Sequence, residues 1–221
     1  RVMAIRDIWQ RNHLIRDAIG RAIFDRMKAD SSIYLLGEGA HIKVHFDAPQ
    51  IERDFSDRVQ TLPVSEDGNT NFAVGASLLG VKPIVDVITA DFLYRTLDSI
   101  CNTAAKLNFV AAEGELPKTI IIRSEFFVGG PTTGQRPEAL FVHIPGLKVA
   151  LPSTPRDAYG LMSTALTRPG VTVFFEDRMI KDSLTKAEDY DTADSLIPFG
   201  SAMARKNPKM PRLLIVTYGL M

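Results

Sequence analysis

Glu66 stands where an extended run ends and a helix begins. Arg58-Val59-Gln60-Thr61-Leu62-Pro63-Val64 has strand character, Ser65 has the chemistry of an N-cap, and Glu66 and Asp67 fill the first helical turn. A carboxylate in that place has two uses: it offsets the helix dipole in any protein, and in a dry cleft it can hold or pass a proton. Glu38 is the second acid of interest. It follows Ser32-Ile33-Tyr34-Leu35-Leu36-Gly37, a short apolar run stopped by glycine, and so falls at the carboxyl end of a buried strand, where open parallel sheets gather ligand-contacting residues. His41 and His45 near Asp47 have a spacing that suits a metal only on a helix. Gly39 and Pro49 argue against a helix there, so no metal site is assigned. The glycine-rich loop from Phe126 to Arg136 lacks the lysine-and-hydroxyl pairing of a phosphate loop. Cys101, the one cysteine, lies in an apolar helical pattern that suits an inert buried thiol.

These residues need a scaffold that brings strand ends together, and the chain's periodicity supplies one. Ile8, Ile15, Ile19, Ile23 and Met27 form one stripe of an amphipathic helix between Met3 and Ala29. A helix of small residues follows Glu66 through Ala73 to Leu79, and another spans Asp91 to Val110. A third is expected from Pro155 to Thr167. Between them lie near-continuous apolar runs at Lys82 to Val87, Lys118 to Arg123, Lys148 to Leu151 and Val171 to Phe175. Strands that alternate with helices imply right-handed crossovers, hence a three-layer α/β domain with a mostly parallel sheet and helices on both faces. That domain is expected over residues 4–180, with a polar, proline-broken linker over 181–211. Arg212 to Gly219 has the pattern of a buried strand, so residues 212–221 are expected to open a truncated carboxyl-terminal domain.

Composition removes several classes of function. The 221 residues hold 45% apolar and 24% charged side chains, the mixture of a soluble globular protein. Basic and acidic residues balance at 26 each, which gives no reason to expect a nucleic-acid partner or a membrane-binding face. A single cysteine excludes an intrachain disulfide framework and suits a reducing cytoplasm. No run is long enough for a transmembrane helix.

Several blocks, in order, carry a family resemblance: Leu36-Gly37-Glu38, Leu62-Pro63-Val64-Ser65-Glu66, Phe72-Ala73-Val74-Gly75, Ala90-Asp91-Phe92, Asp98 with Asn102 to Lys106, His143 to Val149, and Leu151-Pro152-Ser153-Thr154-Pro155. Over roughly residues 4 to 221 the chain resembles the beta subunit of the thiamine-diphosphate-dependent first component of 2-oxo acid dehydrogenase complexes, such as pyruvate dehydrogenase, within the transketolase superfamily. The resemblance implies a pyrimidine-binding half-site whose cofactor is thiamine diphosphate, with Mg2+ and the diphosphate held mainly by a partner alpha subunit. It implies an alpha-beta heterotetramer, inactive without the alpha subunit, that decarboxylates a small 2-oxo acid oxidatively and passes the acyl group to a lipoyl-bearing acyltransferase component. Glu66 then matches the acid that bonds the pyrimidine ring nitrogen and favours the ring's imino tautomer. Phe92 matches the aromatic residue on the pyrimidine face, and Val64 falls beside the same cofactor-binding stretch. Glu38 matches a second acid, near the subunit interface, that communicates protons between sites. His143 matches a structural histidine.

One departure bears on chemistry. Where the family carries His-Ser-Gln in its substrate loop, this chain has Thr133-Gly134-Gln135, and threonine cannot act as a proton-carrying base at neutral pH. Acyl transfer then needs the alpha subunit, His41 or His45 to supply the missing group, or the reaction differs. The alternatives are a non-oxidative decarboxylase or ketol/acyloin transferase subunit, and a truncated module without turnover. The short Thr167-Arg168-Pro169-Gly170 turn also lacks the acid expected at the family's monovalent-cation site.

Overall fold

The computed structural model describes residues 14–38, 49–110, 118–181, 196–201 and 213–219. The elements follow in chain order as α1 (Ile15–Ala29), β1 (Ile33–Gly37), α2 (Pro49–Asp54), β2 (Val59–Thr61), α3 (Glu66–Leu78) and β3 (Lys82–Thr89). Helical backbone of changing pitch then runs from Ala90 into α4 (Leu107–Val110). After it come β4 (Thr119–Phe126), α5 (Glu138–Val142), β5 (Leu147–Ala150), α6 (Pro155–Thr167), β6 (Gly170–Asp177) and α7 (Arg178–Lys181). The sheet has six strands, every adjacent pair parallel, in the order β2-β1-β3-β4-β6-β5.

The central strands β1, β3, β4 and β6 alternate their side chains between two cores, which is why their apolar runs are nearly unbroken. Leu35, Ile84, Ile121 and Phe174 face a layer formed by α1, α2 and α6. Leu36, Val85, Ile122, Val173 and Phe175 face the layer of α3, the Ala90–Lys106 segment and α5. The three-layer α/β expectation is therefore met in detail.

The chain leaves β1 toward one sheet edge to make β2, then returns to lay β3 on the other side of β1. The carboxyl ends of β1 and β3 thus flank a topological switch point, the crevice where such sheets bind ligands. Gly37 makes that approach possible. Its φ of +142° is open to glycine, and a Cβ there would lie 2.5 Å from the Asp86 carbonyl oxygen on β3. Beyond Asp86 the register of β3 against β4 shifts, and the Val87 carbonyl accepts the Ser124 hydroxyl.

Buried charge holds the same strand ends. Arg123 on β4 is 1% exposed, and its Nε and Nη2 donate to the Glu176 carboxylate on β6, the latter at 3.0 Å. Its Nη1 lies 3.5 Å from Asp86 Oδ2 on β3. Burial opposes its charge, but Glu176 and Asp86 outweigh burial and push the guanidinium pKa up. One cation therefore ties three strands. Nearby, the buried Lys181 Nζ donates to Glu125 Oε2 at 2.6 Å.

Most boundaries fall where periodicity places them, and α6 begins and ends as expected. Thr154 caps it by accepting from Asp157 N–H at 3.1 Å, with Pro155 in the first turn. Two expectations need correction. The strand expected over Arg58 to Val64 is only Val59–Thr61, because Arg58 belongs to a 3-10 turn and turns inward. Its Nη1 donates to the Met27 and Asp30 carbonyls at 2.9 and 3.1 Å, satisfying the end of α1. The helix expected over Asp91 to Val110 is instead a succession of 3-10, π, 3-10 and α turns. Residues 213–218 pair with no strand of this sheet, and Leu213, Leu214, Ile215 and Val216 are all exposed. Residues 3–13 of the first predicted helix, and most of the predicted linker, lie outside the described residues.

Two predictions follow from these anchors. Arg123→Ala leaves the Glu176 and Asp86 carboxylates buried without their cation and is expected to cost on the order of 3–5 kcal/mol in a urea titration. Asp30 joins the end of α1 to β3, accepting from Lys82 Nζ at 2.7 Å and from Ser32 N and Oγ at 2.9 and 2.6 Å. Burial alone would raise its carboxyl, but those bonds hold it at about 2. A folded value below the unfolded one means the stabilisation is present above about pH 4 and is lost as pH falls through about 2. Asp30→Asn is expected to cost about 1 kcal/mol at pH 7, allowing for solvent screening, with the difference from wild type vanishing on acid titration.

Candidate functional site

The two acids singled out in the sequence meet at the switch point. Glu38 follows the last residue of β1, and its Oε1 accepts the Ser65 backbone N–H at 2.9 Å. Ser65 sits at the cap position of α3, yet its hydroxyl makes no capping bond, contrary to the expectation from its residue type. The Glu38 carboxylate satisfies one N–H at the approach to the helix instead. This contact fixes the start of α3 against the end of β1, and with it the direction of Glu66.

Glu66 is 9% exposed, although it lies in a first turn where acids ordinarily face water. The first turn is held from three sides. Asn69 Nδ2 donates to the Pro63 carbonyl at 2.9 Å, Thr70 Oγ1 donates to the Glu66 carbonyl at 2.8 Å, and Asp67 accepts the Ser99 hydroxyl. Arg95 Nε lies 3.4 Å from Glu66 Oε2, on a side chain that is 73% exposed. Glu38 has its carboxyl pKa raised, chiefly by burial and further by the charges of Glu66 and Asp86, against the lowering effect of the Ser65 N–H. Glu38, Glu66 and Asp86 therefore share one electrostatic environment.

Phe92 lies on the 3-10 turn Ala90–Thr96, half-buried against the core that also holds Ala73 and Val74 of α3. Val64 is exposed beside the start of α3. One buried carboxylate, one aromatic ring and one exposed aliphatic side chain thus lie on the segments that leave the carboxyl ends of β2 and β3.

The substrate-loop residues behave differently. The Thr133 hydroxyl donates to the Gly129 carbonyl at 2.6 Å and closes its own turn. Gln135 and Gly134 are placed through their backbones, both N–H groups donating to the Asp91 carboxylate at 3.1 Å. Arg136 pairs with Asp177 at 2.6 Å and stacks over Phe126 at 4.6 Å, and Arg178 covers Phe127 at 4.4 Å. The loop is pinned to the ends of β4 and β6. His143 is exposed, with Nδ1 3.3 Å from the Ala139 carbonyl oxygen. His41 and His45 lie outside the described residues. Among the described residues no group of three or more His, Cys, Asp or Glu side chains is placed to hold a metal ion.

Sequence reasoning did not single out Arg95, Asp91 as the loop's anchor, or Arg123. Arg123 had a visible signal, a lone cation inside an apolar run. Arg95 had none, because it depends on the pitch of its turn.

The Glu38 contact predicts a distinction between two variants. Glu38→Gln keeps an oxygen acceptor for Ser65 N–H and removes a charge whose pKa is raised in the fold. It is expected to be as stable as wild type or slightly more so near pH 7, with that advantage gone below about pH 4, where the wild-type acid is protonated. Glu38→Ala loses the acceptor and is expected to cost about 1 kcal/mol by the same denaturation measurement.

Comparison with known proteins places this geometry in context. Residues 13–181 match the family described as "Transketolase, pyrimidine binding domain". The chain is 32% identical over 205 residues to the rice protein "Pyruvate dehydrogenase E1 component subunit beta-2, mitochondrial", covering 88% of this chain and 54% of that one. It is 31% identical over 216 residues to the Bacillus subtilis "2-oxoisovalerate dehydrogenase subunit beta", covering 92% and 63%. The chain thus spans little more than half the length of these curated relatives. Among solved structures it resembles a "Split gene transketolase, inactive beta4 tetramer" with a TM-score of 0.65 at 17% identity, covering 81% of this chain and 55% of that one. A transketolase from Leishmania mexicana aligns with a TM-score of 0.60 at 17% identity, over 73% and 25%.

Proposed function

The chain belongs to the transketolase pyrimidine-binding domain family, and on that premise we propose that it supplies the pyrimidine half-site in the beta subunit of a thiamine-diphosphate-dependent 2-oxo acid dehydrogenase. The observation that carries this reading is the buried Glu66 carboxylate at the switch point, on a first turn held in place by Glu38. The beta-subunit names of its curated relatives support the same reaction class.

The residues present fit the pyrimidine portion of that cofactor. Its bound form supplies a carbon nucleophile for attack on a 2-oxo acid. Glu66 would hold a proton at the basic ring nitrogen, Phe92 and Val64 would supply apolar surface to the ring, and Glu38 would keep the first turn of α3 in register. Confining the carboxylate to a largely buried corner strengthens its hydrogen bond and excludes water from competing for it. A proton-transfer group so placed is typically worth about a hundred- to ten-thousand-fold in rate. The diphosphate and Mg2+ are assigned to an alpha subunit, as the family resemblance implies. A cytoplasmic alpha-beta heterotetramer that delivers acyl groups to a lipoyl-bearing component completes the proposal.

Thr133 favours a second reading for the later half of the reaction. Its hydroxyl proton is committed to the Gly129 carbonyl, and a threonine hydroxyl cannot serve as a base at neutral pH. A subunit that decarboxylates without lipoyl acylation, releasing an aldehyde or an acyloin, accords with that loop.

The first test titrates thiamine diphosphate and Mg2+ calorimetrically into the complete beta subunit with its alpha partner. Glu66→Ala is expected to weaken cofactor binding about ten- to a hundredfold, the loss of one charge-assisted hydrogen bond, with a larger fall in turnover. Binding that ignores Glu66 reduces the carboxylate to a helix-end charge and overturns the assignment. Product analysis then separates the readings: acylated lipoyl supports the dehydrogenase, whereas aldehyde or acyloin alone supports the second.

A further inference from the structure

The Glu66 carboxylate already has a partner. Arg95 Nε lies 3.4 Å from its Oε2, and the two side chains differ greatly in exposure: 11% for Glu66 and 73% for Arg95. Arg95 reaches that position because Ala90–Thr96 is a 3-10 turn, where residues three apart eclipse. Arg95 and Phe92 therefore fall on one side of the turn, Phe92 packing in the core that holds Ala73 and Val74 and Arg95 reaching Glu66. An ordinary α-helix would carry the two side chains apart by about 60°.

We infer that Arg95 is a displaceable counter-ion for Glu66, a positioning residue that occupies the carboxylate in the cofactor-free protein and competes with the pyrimidine ring for it. This rests on the half-site reading above. Two features of the geometry carry it. A guanidinium beside the acid keeps the negative charge of a largely buried carboxylate compensated while no ligand is present, which a buried group requires. The same guanidinium is mostly in water, so the pair is a weak one of the exposed kind and yields to a ligand that offers a ring nitrogen and apolar contact together. Arg95 holds the Glu66 oxygen while the site is empty and withdraws to solvent when the ring arrives. The cost of that exchange is a built-in tax on loading.

The test uses a neutral probe, so that screening of the diphosphate does not confuse it. 4-Amino-5-hydroxymethyl-2-methylpyrimidine is titrated by NMR into the complete beta subunit with its alpha partner, using wild type, Arg95→Gln, Arg95→Lys, Glu66→Gln and the Arg95→Gln/Glu66→Gln double variant. Arg95→Gln is expected to tighten binding about two- to fivefold, the range of an exposed ion pair. Arg95→Lys is expected to stay near wild type. In the Glu66→Gln background, Arg95→Gln is expected to change nothing, because the competition no longer exists. Probe binding that depends on Glu66 but is unchanged or weakened by Arg95→Gln overturns this inference and leaves the half-site standing. A probe that binds no variant, or binds without regard to Glu66, overturns both.

Discussion

A fully buried arginine sets the terms for the working end of this sheet. Arg123 cannot shed its charge, so the fold must bring carboxylates to it, and it does so from both neighbouring strands: Glu176 on β6 and Asp86 on β3. The consequence is geometric. Backbone ladders set the register of these strands, and the ion cluster adds a cost to any separation of the three at this level. Asp86 belongs to that centre and also to the close approach that Gly37 permits. The crevice between β1 and β3 inherits its shape from the ion cluster behind it.

From that fixed crevice the site is built by short reaches. Glu38 leaves the end of β1 and takes the Ser65 N–H, which orients α3. Glu66 then enters its first turn already turned inward. The sheet supplies rigidity, the crossover supplies the acid, and the irregular segment after β3 supplies the aromatic and cationic groups. No single element carries the site, and none of its residues would meet another without the change of direction between β2 and β3.

Much of this was legible in the sequence, for physical reasons that differ by element. The helix from Pro155 to Thr167 is bounded by a hydroxyl cap and a proline, and each acts locally, so its limits were readable. Strands buried on both faces leave continuous apolar runs. The places of Glu66 and Glu38 in the chain were readable because one opens a helix of small residues and the other follows an apolar run stopped by glycine. What escaped notice depends on contacts distant in sequence. Ser65 has the right residue type to cap, yet a carboxylate 27 residues away takes its backbone instead. The stretch after Thr89 has helical composition, and only packing against α3 and the sheet sets its pitch, so neither the 3-10 turn nor the meeting of Arg95 with Glu66 could be read ahead.

The Asp91 carboxylate has a consequence for how the loop before α5 tolerates change. It takes the N–H groups of Gly134 and Gln135, so it grips main chain that almost any residue would offer. The anchor is blind to side-chain identity, and the loop can exchange its chemistry while keeping its place.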